Sequence, residues 1–273
     1  MPAVVWTVDL LASTPPLILF AASAPALLLA TLVLIAQRGY RRTPRALALA
    51  LLWGGIGAAC LASIGNESAR PWMATLAGDG ARTATALLIA PTLEESAKAL
   101  GLLLLLAVFP GSLRNARDGV VYGALIGVGF VWTENFLYLG VSMLQGGEQG
   151  LERALYLRGI LDGIAHMVFT ASSGAALGWW FAGAPGSTAA RIAPAAGLLL
   201  AIAQHALWNG LAAPSMVSVL CGASASGGAC TDQPSGIAVF GASTLIAAIF
   251  LVPGIALARV AWRSGSPDAT GLT

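Results

Sequence analysis

The stretch Pro91-Thr92-Leu93-Glu94-Glu95-Ser96-Ala97-Lys98 decides how this chain is read, because it lies inside the apolar run from Thr83 to Phe109. Two adjacent carboxylates and an ammonium stand where the flanking residues call for lipid. Each such charge costs about 2.5–3.5 kcal/mol on membrane-insertion scales, so it needs a reason to be there.

Composition sets the frame. The 273 residues are 57% hydrophobic and 10% charged, with a mean hydropathy of +0.80, whereas soluble domains carry about 25% charged residues. This is the composition of an integral membrane protein with almost no room for a soluble domain. The net charge of +2 reflects arginines flanking the apolar runs and implies no nucleic-acid partner. Met1 to Leu10 hold no Lys or Arg, so the first apolar run reads as a retained helix and not as a signal peptide.

Apolar segments of about 20 residues span a bilayer as helices. They fall near Leu17–Ala36, Ala46–Ile64, Thr83–Phe109, Gly119–Met143, Leu157–Phe181, Ile192–Ala212 and Gly236–Val260. The fold class expected is therefore an all-α polytopic bundle of about seven transmembrane helices, one domain over 1–273, with a catalytic core in the central four helices, about 83–212. Arginines at 38, 41, 42, 45, 114, 117, 191, 259 and 263 fall in alternate loops. The positive-inside rule places those loops in the cytoplasm, the N-terminus outside and the C-terminus inside.

Smaller features fit this plan. Cys221 and Cys230 fall in an outside loop and are a disulfide candidate; Cys60 reads as a small apolar residue. Gly119, Gly123 and Gly127 form one helix face, as do Gly159 with Gly163 and Gly174 with Gly178, so neighbouring helices can approach closely. Asp118 reads as an N-cap. Trp132, Trp179, Trp180 and Trp208 read as lipid-facing or interfacial.

Few strongly polar groups remain inside the spans: Glu94, Glu95 and Lys98, Glu134 and Asn135, Asp162 and His166, His205 and Asn209. Counted from the outer helix ends, Glu94 lies roughly 17 Å deep and Glu134, His166 and His205 roughly 12–14 Å. Groups on four helices thus share one level, which points to a single buried site. Glu94 and Lys98 are i,i+4 and Glu95 is i,i+3 from Lys98, so one carboxylate can be neutralised while the other stays free. Asp162 can fix the tautomer of His166, and His205 with Asn209 can present two donors to one oxygen. Glu95–Lys98 also reads as a structural ion pair, and Glu134-Asn135 as hydrogen-bonding glue between helices.

Several chemistries lack their motifs. There is no HExxH of a site-2-type zinc protease and no GxGD of a presenilin-type protease; Ala171-Ser172-Ser173-Gly174 only approximates the GxSG of rhomboids. What remains is a glutamate-plus-histidine site. In order, Glu94-Glu95-Ser96-Ala97-Lys98, Asp118-Gly119-Val120-Val121-Tyr122-Gly123, Gly129-Phe130-Val131-Trp132-Thr133-Glu134-Asn135-Phe136-Leu137-Tyr138, His166 and His205-Ala206-Leu207-Trp208-Asn209 resemble the motifs of PrsW-type intramembrane proteases. That family is related to the CAAX prenyl endopeptidases, and here Phe130-xxx-Glu134 stands where those relatives carry FxxxH.

The resemblance implies a glutamic-type intramembrane protease of the cell membrane. Its partner would be a single-pass membrane protein such as an anti-sigma factor, cut on the extracytoplasmic side to start sigma-factor signalling. The scheme expected has Glu94 or Glu95 as general base on a water, with Glu94 preferred by analogy. His166, held by Asp162, would position the water or protonate the leaving amine. Glu134 would orient His166 or carry the proton, and His205 with Asn209 would stabilise the oxyanion. Lys98, Asn135 and Asp162 support these groups. No cofactor is expected; the mechanistic alternative is zinc held by Glu94, His166 and His205. A proton-coupled transporter or channel is the competing class, since buried acids and histidines also build relays.

Overall fold

A computed structural model describes residues 16–37, 42–182 and 188–212, with isolated helical positions at 241, 245, 252, 253, 256 and 259. Among the described residues there are helices and turns and no strand. The chain runs through α1 (Pro16–Ala36), α2 (Pro44–Leu52), α3 (Ala59–Ala77), α4 (Ala81–Ala84), α5 (Ala90–Val108), α6 (Ala116–Ala154), α7 (Gly163–Phe181) and α8 (Thr188–Leu207). Wide π-helical turns at Trp53–Ala58, Thr85–Ile89, Leu155–Asp162 and Trp208–Ala212 join or extend them.

Among the described residues, four helical stretches are long and apolar enough to cross a membrane: Pro16–Ala36, Pro44–Val108, Ala116–Glu152 and Arg191–Leu211. The second holds two of the expected spans in one run of 65 residues. Residues 65–82, expected as a connector, are mostly helical instead, and the chain turns at Gly78, whose φ is +50°. Hydropathy reports where lipid ends, not where a helix does; Asn66, Glu67 and Arg70 leave the apolar pattern without breaking the backbone hydrogen bonds. The same holds at Met143, beyond which α6 continues until Gly147, at φ +59°, breaks its regular path. Leu151 then packs with Leu139 and Phe136. The expected span Gly236–Val260 and the Cys221–Cys230 pair lie outside the continuously described segments.

The core is the antiparallel pair α6 and α7, whose register the glycines set. A Cβ on Gly119 would collide with the Gly174 carbonyl, one on Gly123 with the Thr170 carbonyl, one on Gly127 with the His166 carbonyl, and one on Gly178 with the Asn115 carbonyl. Backbone therefore touches backbone at every turn along this seam, as small-residue faces permit. Gly159 and Gly163 serve a different neighbour, facing Pro25 and Leu29 of α1.

Two local readings change. The N-cap of α6 is Asn115, whose Oδ1 accepts from the Asp118 backbone N–H at 3.0 Å. Asp118 instead forms a buried ion pair with Arg42 at 2.8 Å. Trp208 is buried with Phe169, Ala165 and Ala201, unlike Trp132, Trp179 and Trp180, which are exposed. A bulky ring between α7 and α8 fills space that small residues leave open there.

Candidate active site

Glu94, Glu95 and Lys98 project from one side of α5, which is buried along Pro91, Glu94, Glu95, Ala97, Lys98, Gly101 and Leu102. The i,i+3/i,i+4 spacing brings both carboxylates to Lys98, but unequally. Lys98 Nζ donates to Glu95 Oε1 at 2.7 Å and stands 4.0 Å from Glu94 Oε2. The lysine is fully buried, with its ammonium 3.9 Å from the centroid of the Phe130 ring.

Glu95 is saturated. Besides Lys98, it receives Thr170 Oγ1 on its second oxygen at 3.3 Å, and His205 Nδ1 lies 3.0 Å from Oε1. A carboxylate accepts only, so His205 carries its hydrogen on Nδ1 and leaves Nε2 as a bare acceptor. That Nε2 faces Glu94 Oε2 at 3.8 Å. Glu94 is the opposite of its neighbour. Its Oε1 receives Asn66 Nδ2 at a long 3.4 Å, and its Oε2 is buried with no hydrogen-bond partner.

His166 links the two halves of the cluster. Lys98 Nζ lies 2.6 Å from His166 Nδ1. An ammonium only donates, so Nδ1 accepts and the neutral ring holds its hydrogen on Nε2. Glu134 Oε2 approaches that Nε2 at 3.2 Å and Asp162 Oδ1 at 3.5 Å. Phe130 stacks on the ring, with centroids 5.4 Å apart.

The structure thus gathers Glu94, Glu95, Lys98, Glu134, Asp162, His166 and His205 from α5, α6, the turn before α7, α7 and α8. Two of the expected residues do not join them. Asn209 sits in the wide turn after α8 and donates Nδ2 to the Ala86 carbonyl at 3.0 Å. The expected His205–Asn209 donor pair is therefore not formed; the asparagine ties the end of α8 to the turn before α5. Asn135 is fully buried, and neither side-chain atom has a hydrogen-bond partner.

Three further contributors escaped the sequence reading. Asn66 and Arg158 lay in stretches assigned to loops or loop edges. Thr170 carries a usable signal, since it is i,i+4 from His166 on the same helix. Arg158 pairs with Asp162 at 2.9 Å.

Among the described residues, two overlapping trios have donor spacing suited to a metal: Glu94, His166, His205 and Glu134, Asp162, His166. A catalytic zinc takes three protein ligands with open lone pairs. Both trios depend on His166, and in this arrangement neither of its nitrogens is open: Nδ1 accepts from Lys98, and a metal at Nε2 would have to displace its hydrogen. Glu94 Oε2 and His205 Nε2 are open, but they make two ligands. The donor set as arranged does not fit a three-ligand metal centre, and the Lys98 ammonium already supplies positive charge to Glu94, Glu95 and His166.

With this geometry in view, comparison with known proteins is informative. A family model described as PrsW family intramembrane metalloprotease matches residues 42–229. No curated protein and no solved structure matches the chain.

Proposed function

The chain belongs to the PrsW family of intramembrane proteases and is a peptide hydrolase, and from that premise we propose that it cuts a single-pass, membrane-anchored regulator of the anti-sigma type near the extracytoplasmic face. The observation that carries the reading is the asymmetry of the two glutamates. Glu95 is pinned by Lys98, His205 and Thr170, whereas Glu94 presents an unpaired, buried oxygen toward a bare histidine nitrogen.

In the mechanism this supports, Glu94 Oε2 is the general base. It accepts a proton from a water whose second hydrogen is held by His205 Nε2. Glu95 fixes the His205 tautomer by taking its Nδ1–H, which keeps Nε2 available. The buried Lys98 ammonium lends positive potential to the developing oxyanion. The proton gathered by Glu94 passes to the leaving amine, and neutral His166, whose Nε2–H faces Glu134, shapes the site without giving up a proton. The family description names a metal; a bound metal would supply Lewis-acid polarisation of the scissile carbonyl. Because neither trio offers three open ligands, no step here is routed through one.

Depth on α5 supports this side of attack. Glu94 and Val108 are 14 positions apart on α5 (108 minus 94), or about 21 Å of helix. Measured from the arginine-bearing end, this lies past the middle of a hydrocarbon core about 30 Å thick. Under the positive-inside reading, with the N-terminus outside and the C-terminus cytoplasmic, that is the outer half.

The test is cleavage of a library of single-pass reporters with varied extracytoplasmic juxtamembrane segments in proteoliposomes. Wild type should cut a subset, Glu94→Gln should lose roughly 10²–10⁴-fold, and a zinc chelator should leave wild type unaffected. Wild-type rates in Glu94→Gln would refute the base assignment. Loss on chelation with recovery on added zinc would overturn the metal-free scheme.

A further inference from the structure

Beyond the residues that face the proposed reaction, we infer that Arg158, braced on Tyr138, is a positioning residue that decides which carboxylate receives the His166 Nε2–H. The inference rests on the peptidase reading only for its consequence on cleavage; its geometry stands alone.

Two carboxylates compete for one hydrogen on His166: Glu134 Oε2 at 3.2 Å and Asp162 Oδ1 at 3.5 Å. Neither approach has the angle of a hydrogen bond, since both oxygens are buried without a partner. What distinguishes them is the far side of Asp162. Arg158 Nη1 holds Asp162 Oδ2 at 2.9 Å, and Asp162 is fully buried. The Arg158 guanidinium in turn lies over the Tyr138 ring, 3.6 Å from its centroid. Arg158 and Asp162 both sit in the π-helical turn Leu155–Asp162, a form of backbone frequent at functional sites.

The chain of contacts runs Tyr138, Arg158, Asp162, His166, Lys98. Arg158 neutralises Asp162 and anchors it by the oxygen facing away from the histidine. Asp162 then cannot advance on Nε2, and Glu134 remains the nearer acceptor. Without Arg158, a buried aspartate would keep one open and one orphaned oxygen. Its nearest available hydrogen is the one on His166, so the ring would turn toward Asp162 and loosen its contact with Lys98. Phe130 restrains ring tilt but not this choice, because stacking has no preference between two in-plane acceptors.

The chain holds two histidines, so a 15N-histidine spectrum of the purified protein contains two imidazoles, and a His205→Gln sample assigns them. In wild type, His166 should appear as one tautomer with hydrogen on Nε2. In Arg158→Ala its two nitrogen shifts should move or divide into two forms, and Tyr138→Leu should do so in part. Arg158→Lys keeps the charge and should restore much of the wild-type signal, which also serves if Arg158→Ala folds poorly. Cleavage per folded molecule should fall about 10–100-fold in kcat with KM unchanged in Arg158→Ala. An unchanged His166 spectrum in Arg158→Ala, or a change in KM alone, overturns the inference. If wild type cuts no reporter while the His166 response persists, the peptidase reading fails and the positioning role does not.

Discussion

The unequal grip of Lys98 on its two glutamates makes a quantitative prediction about stability. Lys98 and Glu95 are both fully buried and 2.7 Å apart, whereas Glu94 stands 4.0 Å from the same ammonium. Breaking a buried ion pair by deleting one partner costs about 3–5 kcal/mol, because the other charge is left uncompensated. In Lys98→Met, Glu95 retains His205 and Thr170, so the cost should fall near the low end, about 3 kcal/mol. Glu95→Gln should cost a similar amount, since Lys98 keeps His166 Nδ1 at 2.6 Å and the more distant Glu94. The double variant leaves neither charge stranded and should cost about 1–2 kcal/mol. A double-mutant cycle should therefore return a coupling of roughly 4 kcal/mol for Lys98 with Glu95. The cycle for Lys98 with Glu94 should return a smaller coupling than that with Glu95, because the pair is farther apart and makes no hydrogen bond. Equilibrium unfolding of the six proteins in the two cycles, in detergent micelles and read by steric trapping, measures each term. Additive single effects for Lys98 and Glu95, or stronger coupling to Glu94 than to Glu95, would refute the division of labour between the carboxylates.

Two further outcomes follow from the backbone. Gly119→Ala or Gly174→Ala should each destabilise by at least about 1–3 kcal/mol in the same unfolding assay, because the new methyl meets a facing backbone carbonyl and not a side chain that can swing away; Gly146→Ala, with open space around it, should be close to neutral. Asn115→Ala should cost about 1 kcal/mol by removing the cap on the Asp118 N–H, and Asn115→Ser should recover most of it.

The buried cluster was legible in the sequence because charges in an apolar run are few and costly, and helical spacing fixes which of them share a face. Depth counting could bring Glu94, Glu134, His166 and His205 to one level, but it could not say which side chains would touch. Asn209 shows the gap: one turn from His205, it was matched to that histidine, yet it is drawn to a carbonyl on a different element. Asn66 escaped because its helix continues past the apolar boundary, and Arg158 because, in the first turn of the span from Leu157, it reads as a charge at the membrane edge. Trp208 misled for a related reason, since hydropathy does not separate a ring facing lipid from one filling a gap between helices.

The glycine seam connects this packing to the chemistry. The close approaches along α6 and α7 pair position 119 with 174, 123 with 170 and 127 with 166, one step of four per turn in each direction. This register puts His166 beside Gly127, one turn before Phe130 and two before Glu134 on the same helix. The ring can then stack on Phe130 and meet Glu134 while its other nitrogen reaches Lys98. A slip of one residue along the seam would rotate His166 by about 100° about its helix axis, away from Lys98 and toward lipid or α8. It would also bring Cβ atoms into the places now held by glycine, so steric exclusion penalises the slipped states. The glycines thus do more than let helices approach: they exclude the registers in which the buried polar groups would miss one another. That is why the small-residue seam lies on α6 and α7, two of the helices that carry the costly charge cluster.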